Sequence, residues 1–402
     1  MRSACGQKRN WIRPEEAKDW KHTPDAGREE LGRGRIFPRL ILWVVVLSPL
    51  WPLPPHGLDA RSAQQAAPVR GNEAFHKTFK LVKAYVLEKK EGAIRQLIVD
   101  QRGFLWVRDW EAIEKYDSKG KLVRVIGGKG NGPGRFLLLT GLALDEESGR
   151  VFAVDLQQQR VHLFTQDGQL LRSWIVARPG YMPQEIALDR TRGFYYMGGS
   201  LPLKTVVSEG SLHVHQYKLG TNEYVRSFLE TDQADRGIRE KNLFSYLYVS
   251  SLDTDPAGNV YCTMAPVYKI FKIAPSRRVI RAFRGRHRFY KAPPMYSRSA
   301  LKPEELSKLR KTWTQADRVA IVRGKFAVLS LETHEPFPYG LEVFDLNGRV
   351  LKTDILTEGR LVGKDHEGNL YFAVMRDGKY VVAAYSLLLD ERARPARKRR
   401  SS

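Results

Sequence analysis

One arrangement of apolar and polar positions returns along the chain: an apolar strand, a polar turn closing on Gly, then a strand rich in aromatics. It reads LIVDQRGFLWV, LALDEESGRVFAV, IALDRTRGFYYM, LDTDPAGNVYCT, AIVRGKFAVLS and VGKDHEGNLYFAV. The turn glycines are Gly103, Gly149, Gly193, Gly258, Gly324 and Gly368, spaced 46, 44, 65, 66 and 44 residues apart. Asp at the turn start accepts from backbone amides and Gly accommodates a positive φ, so each copy predicts a β-hairpin. The fifth copy lacks the Asp, having Val322, Arg323 and Gly324. Downstream of each glycine a further strand carries an aromatic near its end: Tyr116, Phe164, Tyr217, Phe271, Phe344 and Tyr385. Most of these run through a turn into a fourth strand, as in KYDSKGKLVRVI and VFDLNGRVLKTDIL. Four short strands in about 45 residues make one propeller blade. The pattern predicts an all-β, six-bladed β-propeller of four-stranded antiparallel blades. The last copy ends at its third strand, YVVAAYSLLL, so TFKLVKAYVL (78–87) is expected to supply the missing outer strand and close the ring.

One blade carries more detail than the others. In GNGPGRF and GLALDEESGRVFAVDLQQQRVHLFTQDG, the positions Gly130, Gly132, Gly134, Phe136, Asp145, Gly149, Asp155, Arg160, Val161, Phe164 and Gly168 stand in a recognisable order. This segment, 130–168, resembles an NHL repeat. The resemblance implies a six-bladed propeller over roughly residues 78–389. It implies little about chemistry, because similar propellers serve as binding scaffolds, sensors, hydrolases and lyases.

Upstream of the repeats, residues 40–53 form an apolar run, LILWVVVLSPLWPL, preceded by Arg33, Arg35 and Arg39. As a helix it would span about 21 Å, short of the roughly 30 Å hydrocarbon core, and Pro49 and Pro52 interrupt it. Charge, apolar run and the small-x-small site Ala60, Arg61, Ser62 fit a secretory signal peptide. The alternative is an uncleaved leader that retains the protein at the membrane. Residues 1–30, charged and Trp-containing, are not needed by a signal peptide, and the true start is read near Leu31. The predicted organisation is a leader over 1–63, a linker over 64–76, the propeller over 77–390 and a basic disordered tail over 391–402. Export to the periplasm or beyond is the expected address.

Composition narrows the class. Of 402 residues 42% are hydrophobic, enough for a sizeable core, which excludes a mainly disordered chain. Two cysteines exclude a disulfide scaffold, and Cys262 within VYCTM reads as a buried strand residue. The 67 Lys and Arg outweigh 44 Asp and Glu, for a net charge of +23. The excess is uneven. Residues 277–311 carry twelve basic side chains against two acids, a net of +10, within an insertion over 282–318 that lies between the fourth and fifth blades. KPEELSKLRKTW inside it predicts a short helix. Arg284, Arg286, Arg288 and Lys291 are the candidate anion-binding residues of this insertion, facing an anionic polysaccharide or envelope surface. An exported protein argues against nucleic acid as that anion.

Catalytic motifs are sparse. None of the nine histidines forms HExxH, and neither a GxSxG nucleophile elbow nor a P-loop is present. His213 and His215 share a face of a predicted strand on the flank of a blade. The glycines at 127–134 read as an interblade connection, and Asp155 with Arg160 reads as a turn ion pair. Counting back from the turn glycines gives the channel-mouth positions Gln96, Gly141, Glu185, Ser251, Asp317 and Leu361. Gln96, Glu185, Ser251 and Asp317 are the candidate ligand contacts there. The expected function is a monomeric, non-enzymatic exported propeller that binds a protein or an anionic glycan without a cofactor. The alternative is a lactonase-like or lyase-like enzyme with calcium held in the channel by Glu185 and Asp317.

Overall fold

The structure is a computed structural model that describes residues 68–88, 92–176, 181–200, 212–230, 248–274, 276, 279–294, 308, 311–334 and 336–389. The leader, the basic tail and most of the predicted helix over 302–313 lie outside the described residues. A short helix α1 (Glu73–Thr78) leads into β1 (Phe79–Leu87), and strands then follow in runs of four. The first run is β2 (Gln96–Val99), β3 (Leu105–Arg108), β4 (Ala112–Tyr116) and β5 (Leu122–Gly127). The second is β6 (Leu139–Asp145), β7 (Arg150–Asp155), β8 (Arg160–Thr165) and β9 (Leu170–Ile175). The third is β10 (Met182–Asp189), β11 (Phe194–Ser200), β12 (Leu212–Lys218) and β13 (Tyr224–Glu230). The fourth is β14 (Val249–Thr254), β15 (Val260–Met264), β16 (Val267–Ala274) and β17 (Val279–Arg284). The fifth is β18 (Gln315–Val322), β19 (Phe326–Glu332), β20 (Tyr339–Asp345) and β21 (Val350–Thr357). The chain closes with β22 (Arg360–Lys364), β23 (Leu370–Arg376) and β24 (Lys379–Leu387).

The second to fifth runs are separate four-stranded antiparallel sheets. The first run shares an eight-stranded sheet, ordered β1-β24-β23-β22-β2-β3-β4-β5, with the chain ends. Within it, β1 pairs antiparallel with β24 from Phe79↔Leu387 to Leu87↔Tyr380, so the N-terminal strand is the fourth strand of the last group. Strand pairing between the two groups of four is the parallel pairing of β2 with β22, at Leu97↔Gly363 and Ile98↔Lys364. A Cβ on Gly363 would strike the Leu97 carbonyl, so the approach requires glycine there. The first strands β2, β6, β10, β14, β18 and β22 neighbour one another in that order, and β22 returns to β2.

Repetition in the sequence becomes repetition in the packing. The six turn glycines all take a positive φ, between 60 and 82°. Asp100, Asp255 and Asp365 do more than cap their turns. Each accepts through Oδ2 from an aromatic six residues on: Trp106 Nε1 at 3.1 Å, Tyr261 OH at 2.9 Å and Tyr371 OH at 3.2 Å. The six third-strand aromatics are all buried. Six hydrophobic clusters form among the described residues, each shared by two successive strand groups. Each sheet thus buries both faces, and neither could do so alone.

Two expectations change. The stretch expected as a linker is structured from Pro68 onward, with Val69 and Phe75 fully buried. Asn72 caps α1 through Phe75 N at 3.0 Å and also bonds Leu356 N and Asp354 O of β21. The physical reason is that Phe75 fills the space between Phe79, Phe372 and Tyr385, with ring centroids 5.1–5.6 Å away. Asp155 is not an ion pair with Arg160. It accepts from Leu137 N at 2.7 Å and Gln158 N at 2.9 Å, holding the connection before β6 against the turn after β7.

Burial also sets an acid limit. His213 lies 1% exposed in β12, and burial lowers its imidazole from 6.5 to about 4. Between those values the unfolded chain binds a proton that the folded chain refuses. Stability from the neutral ring is complete above about pH 6.5 and is lost as pH falls toward 4, by about 3 kcal/mol. Comparing urea midpoints of the parent and His213→Gln at pH 7 and pH 4.5 checks this: the parent should fall more steeply than the variant. Equal falls would contradict it.

Candidate functional site

Every first strand from β6 to β22 has a register shift near its start, between Leu139/Gly141, Pro183/Glu185, Val249/Ser251, Ala316/Arg318 and Leu361/Gly363. Bulges at this point turn the strand where it meets the channel. The topology brings strand starts of the first strands, ends of the second and starts of the third to one end of the sheets. Charged side chains gather there.

The six counted positions have different fates. Glu185 is 6% exposed and pairs in register with Gly198. Ser251 pairs with Thr263 in the same place, and in the fifth sheet that place belongs to Arg318, opposite Ser330. Asp317 is instead the bulged residue, one position off. The displacement follows from the fifth turn, which is shorter than its Asp-containing counterparts in the second and third sheets: Val322 pairs with Phe326 across three residues, where Asp189 and Phe194 enclose four. Leu361 is buried in the core between the fifth and sixth groups, not in the channel. Gly141 offers no side chain.

Gln96 and Ser251 are committed to neighbouring strands. Gln96 donates to Leu142 O at 2.8 Å and accepts from Leu142 N at 3.0 Å and Arg108 Nε at 3.1 Å. Ser251 donates to Val319 O at 3.3 Å. Both clamp adjacent first strands and so act as joints of the ring.

Glu185 and Asp317 do share a site, and arginines surround them. Arg360 grips Asp317 through Nε at 3.1 Å and Nη2 at 2.5 Å, a bidentate pair. Burial alone would raise the Asp317 carboxyl, but Arg360 overcomes it and holds the group below its ordinary range. Arg108, at the end of β3, donates through Nη1 to Leu139 O at 2.8 Å, and burial lowers it to about 9. Arg318 donates to Arg95 O at 3.1 Å. Arg95 lies 4.4 Å over the Trp110 ring, and burial lowers it to about 10. Burial raises Glu185 against the opposing charges of Arg318 and Arg108, and it raises Glu332 beside Asp317.

The electrostatics follow from the count. Four arginines face three carboxyls, and burial favours the protonated form of two of those. Among the described residues only Arg360 of the four has a carboxylate within 4 Å. The Nε atoms of Arg95 and Arg318 are buried without a hydrogen-bond partner. Such a site carries an excess of positive charge. It does not suit calcium, which needs six to eight oxygens, because guanidinium groups occupy the surroundings of Glu185 and Asp317.

Sequence reasoning missed Arg95, Arg108, Arg318, Arg360 and Glu332. Their signal was faint but present: Arg360 starts a first strand, Arg95 directly precedes one, Arg318 is the fourth residue of one, and Arg108 and Glu332 end second strands.

The four candidate basic residues of the insertion are exposed, while Phe283, His287 and Trp313 of the same segment are buried. Arg284 ends β17, and Arg286, Arg288 and Lys291 follow it on the surface. Backbone amides of Arg286 and Arg288 bond Glu342 and Asp354 at 2.9 and 2.7 Å, and Arg288 Nε stands 4.0 Å from Asp354. His215 bonds Ser227 Oγ at 2.5 Å and meets Tyr181 edge-on, so it is a packed flank residue. No helix among the described residues is long and apolar enough to cross a membrane.

Residues 92–174 match a family, DUF5128, described as a 6-bladed beta-propeller. The chain is a β-propeller. Among solved structures it is similar to a candidate exported protein from Bacteroides fragilis, at 12% identity and TM-score 0.52, over 77% of this chain and 95% of that one. It is also similar to a member of the DUF4221 family from Bacteroides vulgatus, at 10% identity and TM-score 0.54, over 77% of this chain and 98% of that one. Likeness at this identity speaks for the fold alone. No curated protein matches the sequence.

Proposed function

We propose that the protein is an exported, non-enzymatic, six-bladed propeller that binds an anionic glycan at the arginine-lined mouth of its channel, without a metal. The observation that carries the reading is the cluster of Arg108 and Arg318 beside Glu185 and of Arg95 beside Asp317, none of the three arginines within 4 Å of a carboxylate among the described residues. Buried guanidinium donors are suited to planar carboxylate and to phosphate. A recessed site favours the end of a chain or a small acidic group over a flat protein surface. The six-blade count is supported by the unbroken cycle of first strands, and the NHL-like segment 130–168 falls inside the residues that match the propeller family. Export rests on the apolar run 40–53 and the arginines before it. Exposed Arg284, Arg286, Arg288 and Lys291 add an outer basic surface for the same class of polymer.

An array of neutral, uronate-bearing, phosphorylated and sulfated glycans, probed with protein treated with a metal chelator, tests the reading. Acidic glycans should be retained, unaltered in mass, and released by salt. Equal retention of neutral glycans would contradict it, and turnover of a glycan that chelation abolishes would favour the metal-dependent lactonase-like or lyase-like enzyme instead.

A further inference from the structure

A second basic site lies at the opposite end of the first strands from the channel mouth. A cavity of about 410 Å³ opens where the turns of the third and fourth sheets meet. Arg192, Lys272 and Arg281 line it together with Asn259 and Ser276, and none of its lining residues is acidic. Its volume is in the range of small-molecule sites.

Its charges are placed against their own repulsion. Lys272 and Arg281 are directly opposite each other across β16 and β17, and like charges in that relation destabilise a sheet. Lys272 Nζ reaches Leu346 O at 3.2 Å, and the Arg281 guanidinium has no hydrogen bond or ion pair among the described residues. Arg192 comes from the neighbouring sheet. It donates to Ala257 O and leans on Asp189 at 3.7 Å. Its guanidinium fills the space that a Cβ on Gly258 would need, so glycine at the turn is what admits the third cation. Three cations from two sheets therefore border one cavity, and among the described residues Asp189 is the one carboxylate within 4 Å of any of them.

We propose that this cavity binds a phosphomonoester, with Lys272 and Arg281 sharing its oxygens and Arg192 closing from the adjacent sheet. A dianion there offsets the Lys272–Arg281 repulsion, and the remaining volume takes the group the phosphate is attached to. The site is separate from the channel mouth and does not rest on the function proposed for it.

The test is thermal unfolding of the full chain at constant ionic strength, titrated with glucose 6-phosphate against chloride. The parent should gain several degrees in a saturable way, as expected for a ligand that binds only the folded state. Arg281→Gln should lose that gain while melting at or above the parent in phosphate-free buffer, since it removes a like-charged neighbour. Arg281→Glu should melt higher still by pairing with Lys272, also without a phosphate response. Co-sedimentation with vesicles of one part phosphatidic acid in four of phosphatidylcholine separates the sources. Binding that Arg281→Gln abolishes assigns the site to a lipid headgroup, and a sugar-phosphate response without sedimentation assigns it to a soluble ester. A parent indifferent to both probes, or an Arg281→Gln protein that responds as the parent does, would overturn the proposal. So would lower melting of both variants in phosphate-free buffer.

Discussion

Removal of residues 68–88 is expected to abolish cooperative unfolding of the whole propeller. The segment buries Val69, Phe75, Phe79, Tyr85 and Leu87, which belong to two of the six interblade clusters. At about 1.5–3 kcal/mol for each large apolar side chain, their loss amounts to roughly 8–15 kcal/mol, comparable with the entire stability of a typical domain. The deletion also strips β24 of its partner from Tyr380 to Leu387 and leaves a bare edge. Phe75→Ala alone should cost roughly 3–5 kcal/mol. Far-ultraviolet circular dichroism against urea reads both. A truncated chain that retains a sharp transition near the parent midpoint would show that the ring closes without its N-terminal strand.

A large effect is also expected at Asp317. Its carboxylate is the only one within 4 Å of Arg360 among the described residues, and both groups lie inside the ring of first strands. Asp317→Ala leaves a desolvated guanidinium facing three further arginines. Breaking a buried pair in this way costs about 3–5 kcal/mol; because Arg360 keeps 23% of its side-chain surface exposed, about 3 kcal/mol is expected here. Asp317→Ala with Arg360→Met should recover much of the loss, because neither charge is then left alone. Equilibrium denaturation of the parent, the two single variants and the double variant closes the cycle. Additive losses in the double variant would mean that the two side chains act independently.

The contrast between what could and could not be read ahead of the structure has a physical basis. Hairpins were visible because their turns need Gly and reward Asp, and third strands were visible because each buries a large aromatic. The closing strand was visible because TFKLVKAYVL lacked any other partner. The helix before it was not. Six residues with one buried Phe give too little periodicity to distinguish a clasp from a linker. Spacing counted to Glu185, which pairs just after its bulge, but in the fifth sheet it counted to Asp317 instead of Arg318, because the fifth turn is shorter and the bulge at Asp317 shifts the register by one. A count along the chain cannot detect a bulge. The arginine cluster was hidden for a different reason. Its members come from the first, fifth and last strand groups and are separated by up to 265 positions, from Arg95 to Arg360. Only the closure of the ring brings them together. The outer basic stretch was conspicuous because its charges are contiguous, yet Arg288 turned out to face Asp354.

Calorimetric titration with an acidic oligosaccharide retained on the array tests the central claim most directly, using the parent, Arg318→Gln and Arg284→Gln. Charged hydrogen bonds contribute about 1.5–3 kcal/mol each, so losing the Arg318 contact should weaken binding about tenfold or more. Arg284→Gln, on the exposed rim, should change it less than about threefold at physiological salt. That ordering is what an anion site at the channel mouth predicts. Unchanged affinity in Arg318→Gln, with the main loss in Arg284→Gln, would contradict it and move the binding site to the outer surface.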